Sequence, residues 1–523
     1  MNNTVCKIVY GFSILLIASA SIKAAEIELL PGEKVWGGKI KDGSRMPFAE
    51  GFTTDLRNND SNQTNPLLLT NKGRYVWSDQ PFSFRIEADR IVILDAVGKV
   101  ETVKAGSTLR EAFVAASKAH FPSESKTPPS EFFEQPQYNT WIELMYDQNE
   151  KGVIEYAKGI LKNGLPAGII MIDDTWQDDY GKWTFDPEKF PNPKKMVKQL
   201  HKMGFKVMLW VCPFVSMDQY QICRDIIRRE GFLKAKDGEP YPVRWWNGTS
   251  AVLDLSSKGG IEWFDEQLTC LVKEYGIDGF KFDAADFVYY PEDAIASSPE
   301  VKAWDQCGLF VDFAARYPYN ELRAGWKNAG RPIVQRLHDK EHSWTDLYKL
   351  IPEMLAEGLM GFSFCCPDMI GGGSFATFLN GKVDQELVVR SAQVHALMPM
   401  MQFSLAPWRV LDKRHYKAVL AAVQTRQKML PLIKELTERA AKCGEPIVAP
   451  MEYWYPGNGY ENIVDQFCLG SGVIVAPVLT QDKNRTVVLP EGRWISDLGD
   501  IYEGGQSIKL YADIERLPYF IKK

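Results

Sequence analysis

The sequence predicts a closed (β/α)₈ barrel set between an N-terminal β-sandwich and a C-terminal β-sheet domain. Three observations carry this. Short β-like runs broken by turns lie ahead of Pro136, strand-like apolar runs alternate with helical periods from about Tyr138, and a β pattern returns after Pro446. At 523 residues the chain is too long for one ordinary core, so two or three domains are expected. The boundaries read as residues 25–136 for the sandwich, 137–440 for the barrel and 441–523 for the C-terminal domain.

Residues 1–24 precede these domains. Lys7, the apolar run from Ile8 to Ala20 and the small-residue clusters Ala18-Ser19-Ala20 and Ala24-Ala25 have the layout of a cleaved secretory signal, too short to span a bilayer comfortably. Export is therefore expected, to the periplasm or cell exterior in a bacterium, with no stable membrane insertion. In the sandwich, Arg74 to Trp77, Phe82 to Ile86 and Arg90 to Leu94 read as strands.

Eight runs read as barrel strands: Trp141 to Met145, Gly168 to Ile172, Lys206 to Val211, Gly279 to Asp283, Leu322 to Trp326, Ile333 to Leu337, Leu359 to Phe364, and Ala396 to Phe403. Between the second and third, Pro193 to Met203 reads as a helix, with proline suited to the first position, Met196, Val197 and Leu200 forming a buried stripe, and Gly204 as its stop. Tyr416 to Ala441 reads as a long helix ended by Gly444. Val473 to Val478 is the clearest strand of the C-terminal domain.

A formal charge of -6 without any Lys/Arg-rich run argues against nucleic acid as a partner. The cysteines lack CxxC or CxxH spacing, so no zinc site is expected, and no cofactor motif is present. The 15 Trp residues leave room for sugar-stacking surfaces, although core packing uses most Trp in any protein.

Chemistry concentrates at the ends of the barrel runs, where such folds place their active sites. In Asp278-Gly279-Phe280-Lys281-Phe282-Asp283 the period-2 rule turns Lys281 and Asp283 one way and both Phe the other. Buried in a barrel, that pair is either a structural ion pair or a carboxylate nucleophile held ionised by an ammonium group. Asp173, Asp174 and Trp176 follow the second run, Trp210 lies on the third, His338 and Asp339 follow the sixth, and Asp368 follows the seventh. Paired carboxylates without a metal motif, a phosphate loop or a Ser/Cys nucleophile signature fit glycoside hydrolysis, in which the retaining version sets the two about 5 to 5.5 Å apart. Asp283 suits the nucleophile. Asp339, in a loop open to water, suits the acid/base.

With these residues in view, the chain resembles glycoside hydrolase family 31, whose nucleophile strand often reads Gly-Phe-Lys-Phe-Asp. Further matches are Asp186 to Pro191, Gly330 to Trp344 with Ile351 to Leu355, Asp368 ahead of Gly371, and Asp465-Gln466-Phe467 through Val475 to Val478. The resemblance implies Asp283 as nucleophile, Asp339 as acid/base, and Arg323 and Asp173 as contacts to the sugar. Asp174 is implied beside them, with a helix cap as its alternative. Trp210, Trp246 and Trp176 become candidate sugar platforms, Lys281 a support for Asp283, and His338 and Asp368 neighbours of the pocket. Asp79 matches an N-terminal-domain loop able to reach the site.

One departure bears on the substrate. Where many α-glucosidases of the family carry an Arg-Asn-His-like segment, this chain reads Met398 to Ser404, then Pro407-Trp408. That segment is similar to the branch containing the myogenesis-regulating glycosidase and bacterial relatives, which implies an α-galactoside substrate, because the two sugars differ in one hydroxyl. Alternatives within the family are an α-glucoside, α-xyloside or sulfosugar. A non-catalytic carbohydrate-binding protein on this fold is a further alternative, as is another barrel family of α-galactosidases, suggested by Asp173-Asp174-Thr175-Trp176-Gln177. The expected partner is an oligosaccharide or other glycoside.

Overall fold

The computed structural model describes residues 25–379 and 381–523, so the expected signal segment lies outside the described residues. Eight short parallel strands run around a barrel: β1 (Gln137–Asn139), β2 (Ile169–Ile172), β3 (Lys206–Val211), β4 (Gly279–Phe282), β5 (Tyr319–Leu322), β6 (Gln335–Arg336), β7 (Cys365–Cys366) and β8 (Gln402–Phe403). The sheet order places β8 beside β1 and leaves β7 at the other edge. There the gap is bridged by the Ile370 amide, which donates to the Gln402 carbonyl at 2.8 Å.

Helices cross between the strands and pack on the barrel. Pro193–Lys202 starts on proline and buries Met196, Val197 and Leu200, as the spacing predicts. Lys258–Tyr275, Trp344–Leu359 and Gln385–Ala396 are capped by the side chains of Ser257, Ser343 and Asp384, each accepting from a backbone amide of the first turn. The long helix Lys413–Cys443 ends at Gly444 in the left-handed conformation.

Sequence and structure part at several strands. Trp141–Leu144 is a helical turn and β1 precedes it, at Gln137–Asn139. Leu359 ends a helix, leaving Cys365–Cys366 as the seventh strand, and Ala396 likewise ends a helix ahead of β8. In both places the end of a helix, the connection and the strand are buried without a break, so no change in pattern marks where one ends and the next begins.

The fifth run divides in a way that matters for the site. Tyr319–Leu322 stays in the barrel, whereas Gly325–Trp326 leaves it and pairs in parallel with Gln63 and Thr64 of the N-terminal domain. That domain is two antiparallel sheets, one of Ala25–Glu28, Arg90–Ala96, Phe82–Ile86 and Thr53–Asp55, the other built on Gln63–Thr70, Arg74–Ser78 and Val100–Lys104. The shared pairing fixes the loop around residues 58–62 beside the barrel mouth. After the barrel, a six-stranded sheet and a two-stranded ribbon enclose a separate core around Met451, Ile474, Trp494 and Phe520. Among the described residues no helix is long and apolar enough to cross a membrane.

Candidate active site

Strand β4 shows how sequence becomes site. Gly279 opens it where any Cβ would sit 1.9 Å from the Tyr319 carbonyl oxygen of β5, so only glycine permits the pairing. Phe280 and Phe282 pack outward on Phe310, Phe313 and Tyr317, and the alternation turns Lys281 inward with Asp283 just beyond the strand.

Both residues line a cavity of about 370 Å³ at the C-terminal ends of the strands, within the roughly 300–1,000 Å³ typical of small-molecule sites. Nine of the twelve predicted site residues form its wall: Asp173, Asp174, Trp210, Trp246, Lys281, Asp283, Arg323, His338 and Asp339. Asp368 does not. It is fully buried behind the wall, accepting from the Lys340 and Gly373 amides at 2.7 and 2.8 Å and from Arg336 Nη1 at 2.6 Å. Its work is to hold the loop that carries Asp339.

Asp283 is clasped from both sides. Arg323 Nε donates to its Oδ1 at 2.9 Å, Trp210 Nε1 to its Oδ2 at 3.0 Å, and the Ala284 amide to Oδ1 at 2.8 Å. Burial alone would raise its pKa, but Arg323 first, then Lys281, the Trp210 hydrogen bond and Arg336 outweigh it and hold the carboxyl well below the ordinary range. Lys281 is not its direct partner. The ammonium donates to Asp173 Oδ2 at 2.6 Å, because Asp173 at the end of β2 faces it across the barrel, and it reaches Asp283 only through its field.

Asp174 turns to a different cluster. Its carboxylate accepts from Tyr180 Oη at 3.1 Å, Asn247 Nδ2 at 2.8 Å and the Thr175 amide at 2.7 Å. Burial and the neighbouring Asp173 charge nevertheless push its pKa up to about 6. Asp339 is the exposed member, with its side chain 41% accessible, and it accepts from Arg336 Nη1 at 2.9 Å.

The aromatic candidates separate. Trp210 and Trp246 line the cavity, and Trp246 is 45% exposed at its edge. Trp176 is fully buried in the core, donating to the Trp210 carbonyl at 2.8 Å, so it is no sugar platform. Asp79 also misses the site, with its carboxylate facing Lys327 at 3.6 Å. The N-terminal domain reaches the cavity instead through Ser61.

Sequence reading missed several participants. Trp141, Tyr146, Tyr289 and Phe375 complete the aromatic wall. Asp286 grips the far side of Arg323, at 2.8 Å from Nη2. Arg336 and Glu321 form a buried ion pair at 3.3 Å in the barrel interior, with Gln402 Nε2 donating to Glu321 at 2.7 Å. A signal for Arg336 existed: like Lys281, it is a charge inside a strand-like run, whereas Glu321 lies one residue ahead of the run read at Leu322 to Trp326.

A barrel whose strand ends present paired carboxylates in an aromatic-walled cavity is the architecture of a glycosidase, and the comparisons with known proteins agree. The model of the glycosyl hydrolases family 31 TIM-barrel domain matches residues 133–436, and that of the family 31 C-terminal domain matches residues 444–523. The chain belongs to glycoside hydrolase family 31. It is 34% identical to the myogenesis-regulating glycosidase of Mus musculus over 425 residues, 77% of this chain and 58% of that protein. It is 28% identical to alpha-glucosidase 2 of Bacillus thermoamyloliquefaciens over 409 residues, 72% of this chain and 51% of that protein. This chain thus spans between half and three-fifths of those relatives' length. A family 31 dextranase of Flavobacterium johnsoniae, solved with glucose, shares the fold at a TM-score of 0.85 and 19% identity, covering 96% of this chain and 66% of that one.

Proposed function

We propose that the protein is a retaining exo-α-glycosidase acting on a terminal α-linked galactose. The observation that carries the mechanism is the pairing of environments: Asp283 buried and held ionised by Arg323 and Trp210, Asp339 open to water on the same cavity wall. In the first step a carboxylate oxygen of Asp283 bonds to the anomeric carbon as the glycosidic C–O bond breaks. The bonding pair leaves on the aglycone oxygen, which takes a proton from Asp339. In the second, water attacks the anomeric carbon, Asp339 takes its proton back and Asp283 is released. Asp173, Asp174, Trp210, Trp246, Lys281, Arg323 and His338 surround the bound sugar.

The choice of galactose rests on strand β8. No cavity-lining residue comes from it or from the segment that follows, where many α-glucosidases of the family carry their Arg-Asn-His. Gln402 is occupied by Glu321, and Ser404 Oγ accepts from the Ile142 amide at 2.6 Å. The relatives named for α-glucosides and α-xylosides favour the alternative sugars.

Nitrophenyl α-glycosides decide between them. Turnover of the α-galactoside with an α-configured first product is expected, and turnover of the α-glucoside or α-xyloside alone would overturn the sugar. Export belongs to the same proposal, and N-terminal sequencing of the mature protein, with cleavage near Ala25 expected, checks it.

A further inference from the structure

The loop of the N-terminal domain enters the barrel mouth with a fully buried amide, Asn62, aimed at the backbone and ring of His338. The orientation of this amide is fixed by its surroundings. The His338 backbone N–H lies 3.2 Å from one amide atom, and a backbone N–H can only donate, so that atom is the oxygen. The other atom faces two acceptors, Gln63 Oε1 at 3.3 Å and the Arg336 carbonyl at 3.4 Å, so it is the NH₂. The same Asn62 oxygen lies 2.6 Å from His338 Nδ1. An oxygen without a proton requires one on Nδ1.

A single proton on Nδ1 leaves the lone pair on Nε2, provided the ring stays neutral. Its surroundings keep it so. Lys340 Nζ stands 3.0 Å from Nδ1 and 3.3 Å from Nε2, itself buried and held by Glu353 at 2.7 Å. Burial, then Lys340, Lys41, Arg323 and Arg336, all oppose a second proton on the ring. Glu353 at 3.8 Å from Nδ1 is the acidic group facing it, and it is already committed to Lys340.

We propose that Asn62 is a positioning residue that fixes His338 as a neutral hydrogen-bond acceptor, with Nε2 receiving a hydroxyl proton of the sugar in the cavity. The inference rests on the cavity being a sugar site, and it assigns the N-terminal domain a part in reading that sugar. Imidazole is chosen over a carboxylate because it accepts without adding a further acidic group to a wall that already holds Asp173, Asp174, Asp283 and Asp339.

The tautomer can be read without any substrate. In ¹⁵N-histidine spectra of the full chain, His338 is expected to show a protonated Nδ1 and an unprotonated Nε2 throughout about pH 5 to 8. An Nε2–H tautomer, or an imidazolium titrating in that range, overturns the proposal. The sugar contact is read with nitrophenyl α-galactoside and its monodeoxy analogues. His338→Phe is expected to lower kcat/KM on the parent by about tenfold or more, the worth of one lost hydrogen bond in a buried site, and to leave one deoxy analogue unaffected. Equal losses on every analogue overturn it. In the Asn62→Asp variant the added charge stabilises imidazolium, so activity acquires a rise with pH as the ring deprotonates and Nε2 becomes an acceptor again. If that variant folds and its pH profile matches the parent, Asn62 does not act through His338. Failure of the glycosidase reading itself looks different: no α-glycoside is turned over, whatever the tautomer.

Discussion

Arg323 divides one guanidinium between two carboxylates, with Nε on Asp283 at 2.9 Å and Nη1 and Nη2 on Asp286 at 3.2 and 2.8 Å. Asp286 aims the fork, and the fork orients Asp283 for attack. A lysine carries the charge but cannot span both groups. Arg323→Lys is therefore expected to lower kcat by about 10²–10³-fold, the order found when one preorganised electrostatic contact is removed. Asp286→Asn should act in the same direction and more weakly, since Arg323 keeps its charge and its Nε contact. Steady-state kinetics of the two variants, with unchanged circular dichroism, checks the ranking.

Lys281 and Asp173 make an ion pair with both side chains at or below 5% exposure. Removing one member of such a pair leaves a charge buried without a partner, and costs about 3–5 kcal/mol. Lys281→Met is expected to lose stability on that scale in chemical denaturation, in addition to losing activity. The double variant Lys281→Met/Asp173→Asn should recover most of the stability and none of the activity. A single variant as stable as the parent would contradict the pairing.

The pattern of legibility follows from what each signal depends on. Asp283 and Lys281 are readable because period-2 alternation and a strand-end carboxylate are local properties of the chain, whereas Arg323 is reached only through the family resemblance. Their partners are not readable in this way. Lys281 faces Asp173 across 108 positions of sequence, and Arg323 rather than Lys281 touches Asp283, an assignment that depends on where strand β5 stands beside β4. Asp368 is legible as a neighbour of the pocket but its direction is not, for the related reason that a carboxylate following a strand can point into the cavity or behind it, and the turn at Gly371–Gly373 decides. Asn62 lay beyond sequence reading, since its role exists only once Gly325–Trp326 pairs with Gln63 and Thr64. Barrel strands of two residues, such as Cys365–Cys366, give too short a period to register at all.

Asp174 makes stability depend on pH. Its folded pKa of about 6 lies above the unfolded value near 3.9, so between those two the folded state binds the extra proton. Stability must therefore fall as pH rises through about 4 to 6, by about 3 kcal/mol in total at one pKa unit per 1.36 kcal/mol. Asp174→Asn removes this contribution. Denaturant titrations across that range are expected to show the parent losing more stability with rising pH than the variant, and parallel profiles would remove Asp174 as the source.

Gly373 lies where the loops carrying Asp339 and Asp368 meet. A Cβ built there would stand 2.7 Å from Asp368 Oδ1 and 3.0 Å from Asp339 Oδ1, while its amide donates to Asp368 Oδ2 and its carbonyl accepts from Trp141 Nε1 at 3.0 Å. Alanine at this position must displace one of the carboxylates. The shorter contact is to Asp368, which holds the Lys340 amide of the loop carrying Asp339, so the methyl group shifts Asp368, and the exposed Asp339, itself at 3.0 Å, moves with that loop. If Asp339 is the proton donor, its displacement affects substrates according to how much their leaving group needs a proton. Gly373→Ala is expected to slow hydrolysis of an alkyl α-galactoside by about 10²-fold, the lower end of what general acid catalysis contributes, and to slow the nitrophenyl α-galactoside far less, because nitrophenolate departs without protonation. Equal slowing of both substrates would mean that the methyl group disturbs sugar binding and not proton transfer, and would take the acid/base role away from Asp339.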